Sequence, residues 1–402
     1  MKQKSKHLWD SSKTKKEAID FAASWDVKQK PMYENLLIPY QIVLDKVYSK
    51  ELLRQKYINQ KQFDAIQDSL SNLQCHEDRL STEGYEDVHS FVESKLAEHS
   101  KLTGNIHLGL SRNDQICTIM RMLMKAEISK IEGELCGFIS ALNNEIDRKG
   151  SKVIPGYTHH RVAMPSTYGL LLGSYVERLG RVRKDFISWN QKYNKCPLGS
   201  AAGFGSSLKI DRGLVAKELG FDDVTENSLD AVSTRGEAEA HLVFILSTCL
   251  DHLSTISQDL IFMSSAGIDV VKLPPEYCTG SSIMPQKRNP DVLEATKAKA
   301  SDVLGKLVSI KSINRGNISG YNRDTQWTKY ALIDAINEFD GALELLSDVI
   351  KNIEVDEKRS KELLRKEKAY AAEEAMRKAV QEKVPFRQAK LEIERKIKNK
   401  KR

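Results

Sequence analysis

A chain of 402 residues is long enough to bury a large core and to hold two or three domains. Its composition, 40% hydrophobic and 29% charged with only 10 prolines, favours a helical globular protein over a strand-rich or disordered one. The net charge of +7 is too modest to indicate a nucleic-acid partner, and no run approaches the apolar length of a membrane span. Six cysteines without CxxC spacing read as reduced thiols of a cytoplasmic protein, with no metal site.

The N-terminus is basic, with Lys2, Lys4 and Lys6, and no apolar segment follows it, which argues against a secretory signal. The first ~95 residues read as short helices joined by polar linkers. After Asn113-Asp114, Ile116, Ile119, Met120, Leu123, Ile128, Ile131, Leu135, Phe138 and Leu142 mark one face of a helix of some thirty residues. Further long helical patterns cover 165–194, Glu237–Ser264, Pro290–Ile313 and Thr328–Ile353. Lys152–Ile154 and Val270–Leu273 read as extended connections. The last fifty residues are charged and helical, interrupted at Val384-Pro385-Phe386, and end in the basic run Lys396–Arg402. Helices this long exceed the ordinary mean and carry broad apolar faces, so self-association is expected.

The richest segment is Gly280-Ser-Ser-Ile-Met-Pro-Gln-Lys-Arg-Asn-Pro-Asp-Val-Leu-Glu294. Asn289 is a favoured N-cap and Pro290 a favoured first helical residue, so a helix starts here, and its N-terminus favours nearby anions. A serine beside Lys287 and such a terminus is in a setting that could hold an alkoxide, which suggests proton abstraction from carbon by Ser281. The same residues also read as a plain loop before a capped helix. His159, in Gly156-Tyr-Thr-His-His160 ahead of the helix at 165, is a candidate acid or base, although a lone loop histidine is more often structural. Arg112, in His107–Gln115, suits carboxylates through its planar fork. Pro197–Ser207 is glycine-rich, but it has no GxxxxGK[ST] pattern and no βαβ setting, so a phosphate loop is not indicated.

These blocks together resemble the argininosuccinate lyase family of the fumarase/aspartase superfamily. The 280–294 segment is similar to the signature SSxMPxKxN loop, Gly156–His160 to GYTHLQ, His107–Gln115 to HTxRSRNDQ, and Gly320–Lys329 to YNKDLQEDK. The likeness spans residues 70–390 and is weakest at Pro39–Asp45; Leu108, Leu110, His160, Arg161, Trp327 and Thr328 depart from it. Trp327 and Thr328, which replace acidic residues, are expected to face outward. The chain also ends sooner after Val384-Pro385-Phe386-Arg387 than many members do.

The resemblance implies an all-α, three-domain fold with a central bundle of very long helices. Its domains would be residues 1–98, 99–350 and 351–402, in a homotetramer whose active sites are each built from three chains. It implies β-elimination of argininosuccinate to L-arginine and fumarate, within arginine biosynthesis, without cofactor or metal and without a nucleic-acid or membrane partner. Ser281 would be the base and Lys287 would face the substrate carboxylate. His159, paired with Glu294, would act on the acid side. Ser111, Arg112, Asn113, Thr158, Asn289, Tyr321, Gln326 and Lys329 would bind substrate. Two other readings are compatible with the departures: a superfamily lyase acting on a different succinyl or amino-acid adduct, and a non-catalytic scaffold of the crystallin kind.

Overall fold

A computed structural model describes residues 30–76 and 79–399; Lys2, Lys4, Lys6 and the last three residues of the basic tail lie outside the described residues. In chain order the helices begin with α1 (Lys30–Asn35), α2 (Ile38–Arg54), α3 (Gln60–Cys75), α4 (Val88–His99) and α5 (Arg112–Lys149). A hairpin of β1 (Val153–Thr158) and β2 (Arg161–Thr167) leads into α6 (Tyr168–Tyr193). Two short strands, β3 (Lys195–Cys196) and β4 (Asp223–Val224), pair in parallel around α7 (Arg212–Glu218). Next come α8 (Ser228–Ser233), α9 (Glu237–Ser264), β5 (Val271–Lys272), α10 (Asp291–Ile313), α11 (Thr328–Phe339) and α12 (Ala342–Asn352). Strand β6 (Glu354–Val355) pairs antiparallel with β5, and α13 (Glu357–Lys366), α14 (Ala371–Glu382) and α15 (Phe386–Asn399) complete the described chain.

The chain divides into two compact units: Met1–Ile131 with Asp185–Leu246 and Asp302–Glu338, and Glu132–Lys184 with Ser247–Ser301 and Phe339–Arg402. In the first unit, α3 and α4 begin with reciprocal capping boxes, Asn59 with Gln62 and Asp87 with Ser90, each satisfying two end groups of the helix. The expected apolar face of α5 is buried there at Ile116, Ile119, Met120, Leu123, Ile128 and Ile131, and in the second unit at Leu135, Phe138 and Leu142. Each such side chain contributes about 1.5–3 kcal/mol of burial.

Five expectations are corrected. The helical pattern Thr328–Ile353 is two helices, because Gly341 adopts a left-handed φ of 75° and starts α12 afresh. The approach to the helix at 165 is a β-hairpin, so His159 sits at its tip. Helix α10 starts at Asp291, and Asn289 is not its cap: its backbone pairs with Thr279 instead. Thr328 is fully buried, its hydroxyl donating to the Thr325 carbonyl at 2.8 Å, and so does not face outward. Helix α9 does reach the length and composition of a membrane span, in contrast to the reading from apolar runs; 61% of that window is buried inside the protein, as in a core helix.

Candidate active site

The first unit holds a cavity of about 620 Å³ lined by Ser111, Arg112, Asn113, Tyr321, Gln326 and Lys329, together with Glu86, Asp87, His89, Ile116 and Arg323. Six of the eight expected substrate-binding residues therefore meet in one place, although they come from two distant blocks of sequence. The first block is positioned by Asp114, which is fully buried. One of its oxygens accepts the Ser111 N–H at 2.9 Å, and the other accepts the N–H groups of Gly199 and Ala201 at 2.9 and 2.8 Å. The glycine-rich segment thus serves as backbone donors that clamp the start of α5. Burial pushes the Asp114 carboxyl up to about 6, against the pull of these N–H donors.

Arg112 is held by two carboxylates, with Nη1 2.6 Å from Glu86 and 3.2 Å from Asp87. In the second block, Gln326 donates to the Tyr321 hydroxyl at 3.1 Å and accepts from the buried Arg235 at 3.3 Å, which fixes its amide. Lys329 is buried in an ion pair with Glu34. Burial alone would lower the lysine's pKa, and the Glu34 carboxylate outweighs it, so Lys329 is raised and stays charged.

A buried polar chain backs this cavity. His89 Nδ1 lies 2.7 Å from Gln41 Oε1, Gln41 Nε2 donates to Asp45 at 2.8 Å, and His107 Nε2 lies 3.1 Å from the same Asp45 oxygen. His107 is raised to about 10, since Asp45 and Glu93 outweigh the cost of burial. His89 is lowered to about 3, chiefly by burial.

The sequence reading missed Glu86, Asp87, His89 and Arg323. The run Glu86-Asp-Val-His89 was the available signal, but Asp87 with Ser90 reads first as a helix cap. Glu34, Gln41 and Asp45 lie where the resemblance is weakest.

The remaining expected residues lie in the second unit. The loop from Thr279 to Asn289 is closed at its neck by two backbone hydrogen bonds, of 3.0 and 2.8 Å, between those two residues. The Asn289 amide donates to the Gly280 carbonyl at 3.1 Å, and the Thr279 hydroxyl donates to Asp291. Inside the loop, Ser281 Oγ accepts from the N–H groups of Met284 and Ile283, at 3.2 and 3.4 Å. Lys287 is exposed on the same loop, and Glu294 is exposed on the first turns of α10.

Thr158 and His159 are exposed on the hairpin, whose two-residue loop puts His159 and His160 at φ of 51° and 57°. That is the geometry of a type I′ turn, usually built from Asn and Gly, and holding two histidines there costs about 1–2 kcal/mol each. His159 and Glu294 share no hydrogen bond among the described residues.

A family model described as a lyase matches residues 33–305. The argininosuccinate lyase of Halorhodospira halophila is 38% identical over 281 residues, covering 68% of this chain and 59% of the relative. That of Pseudomonas entomophila is 35% identical over 325 residues, covering 80% and 70%. The chain thus spans 59% of the length of the first of these relatives. Among solved structures, an EDDS lyase in complex with formate superposes with a TM-score of 0.76 at 22% identity, covering 89% of this chain and 71% of the other. The class II fumarase of Schistosoma mansoni gives 0.75 at 18% identity, covering 89% and 87%. With the sequence matched over most of its length and the fold shared with these lyases, the chain belongs to the argininosuccinate lyase family of the fumarase/aspartase superfamily.

Proposed function

We propose that the chain is a carbon–nitrogen lyase that converts argininosuccinate reversibly to L-arginine and fumarate, a step of arginine biosynthesis carried out in the cytoplasm. The observation that carries this reading is the convergence of Ser111, Arg112 and Asn113 with Tyr321, Gln326 and Lys329 in one cavity. Its cations and amide donors suit a ligand bearing carboxylates, and Glu86 and Asp87 add the opposite charge for an amino-acid end.

In the proposed reaction Ser281 Oγ, as alkoxide, takes a proton from the succinyl methylene carbon, next to the carbon that carries the guanidinium nitrogen; that C–N bond then breaks as the C=C bond of fumarate forms. The N–H groups of Ile283 and Met284 already point at that oxygen and stabilise its negative form. Lys287 and Asn289 neutralise the doubly charged carboxylate that develops; donors placed in this way are worth about 10²–10³ in rate each. His159, or a group it organises, returns a proton to the departing guanidinium nitrogen, typically about 10²–10⁴. Thr158 completes the substrate contacts.

The same reading has the chain acting as a homotetramer with each active site built from three copies, in which Glu294 meets the histidine of another copy. The exposure of Ser281's loop, His159 and Glu294 in the single chain supports that assembly, as do the exposed Leu170, Phe244, Leu304 and Val308 on the long helices. The division into domains 1–98, 99–350 and 351–402 belongs to the same proposal. Incubating the full chain with argininosuccinate should yield fumarate and L-arginine in equal amounts, and no product from the folded protein would overturn the proposal.

A further inference from the structure

One buried imidazole in the cavity takes no part in the chemistry above. His89 is 2% exposed, lines the cavity, and its Nε2 has no hydrogen-bond partner. The protonation of its ring is set from behind. Gln41 Nε2 donates to Asp45 Oδ1, and a carboxylate only accepts, so the Gln41 amide has to present its oxygen to His89. Nδ1 therefore carries the proton, and in a neutral ring Nε2 is left as a lone pair. The ring is kept neutral by burial and by the neighbouring His107, Arg112 and Lys329, which together hold its pKa at about 3.

The same cavity holds the opposite kind of atom. Arg112 Nη2 is a buried donor without a partner, while Nη1 is taken by Glu86 and Asp87. Buried polar atoms are almost always satisfied. One unpartnered acceptor and one unpartnered donor, on residues that line the same cavity, match a ligand that brings an ammonium and a carboxylate together, as the α-carbon of an amino acid does.

We propose that His89 Nε2 accepts a hydrogen bond from the α-ammonium group of the amino-acid end of the ligand while Arg112 holds its α-carboxylate, so that His89 selects for α-amino acids. The inference rests on the lyase reading for the identity of that end, L-arginine.

The test is calorimetric binding of L-arginine and of desamino-arginine, the same molecule without its α-amino group, to the full chain and to His89→Asn and His89→Gln. An Asn amide can take the place of Nδ1 and keep the bond to Gln41 while supplying nothing at the position of Nε2, and a Gln amide reaches that position with an oxygen. His89→Asn is expected to weaken L-arginine about ten- to a hundredfold, as for a lost hydrogen bond to a charged group, and to leave desamino-arginine unchanged. His89→Gln is expected to regain much of the preference.

Equal losses for both ligands would mean a packing role and would overturn the inference, as would no loss, or wild-type protein that binds neither compound. Turnover of argininosuccinate by the wild-type chain, measured alongside, separates the two claims. Turnover without the His89-dependent preference defeats this inference alone, and the preference without turnover upholds it while defeating the lyase reading.

Discussion

A serine hydroxyl is a poor base, and what Ser281 needs is a surrounding that favours its anion. The turn Ser281–Met284 supplies two backbone N–H donors to its Oγ, and Lys287 stands on the same loop. The residue pattern put Ser281 and Lys287 on one loop; the two N–H donors to Ser281 are seen only in the structure. His107 carries a different expectation. Its pKa is raised above the unfolded value by Asp45 and Glu93, so the folded chain binds that proton more tightly than the unfolded one. Its contribution is complete below about pH 6.5 and is lost as pH rises toward about 10. Urea midpoints measured near both ends of that window should fall more with rising pH for wild type than for His107→Gln, and parallel falls would contradict the assignment.

At the scale of elements, the long helices were legible because their apolar residues recur every three or four positions over many turns, as along Ile116–Leu142. The hairpin was not, because its loop uses two histidines where a type I′ turn ordinarily announces itself with Asn-Gly. The break before α12 did carry a turn signal, Asp340-Gly341, but the apolar period runs on across it and reads as one helix. For the site, the blocks near 111 and 321 were legible from their residue types. Glu34, Gln41, Asp45 and His89 were not, since they act through contacts between segments far apart in sequence.

Gly236 is an element-scale position sensitive to change. It joins α8 to α9 at a φ of 93°, and a Cβ there would collide with the Asn314 side chain. Gly236→Ala should therefore destabilise the fold by about 1–3 kcal/mol and disturb the neighbouring Arg235, which holds Gln326. Thermal unfolding checks the first effect and L-arginine binding the second; an unchanged melting temperature would contradict the strain assigned to this turn.

At the scale of the whole molecule, the exposed apolar residues of the long helices are the feature that a monomer does not explain. Leu304 and Val308 lie four residues apart on α10, 48% and 58% exposed, on one helical face. The proposed tetramer gives them a partner surface. Sedimentation velocity should find the wild-type chain as four copies, and Val308→Glu should shift it to smaller species with loss of turnover. A wild-type chain that sediments as a monomer yet retains full turnover would show that the site does not depend on other copies.

The account stands most directly on Ser281. Fumarate release from argininosuccinate, followed by its ultraviolet absorbance, should be clear in the wild-type chain. In a folded Ser281→Ala variant it should fall by at least about a thousandfold, as when a residue central to the chemical step is removed. Near-normal turnover in that variant would contradict the mechanism at its centre.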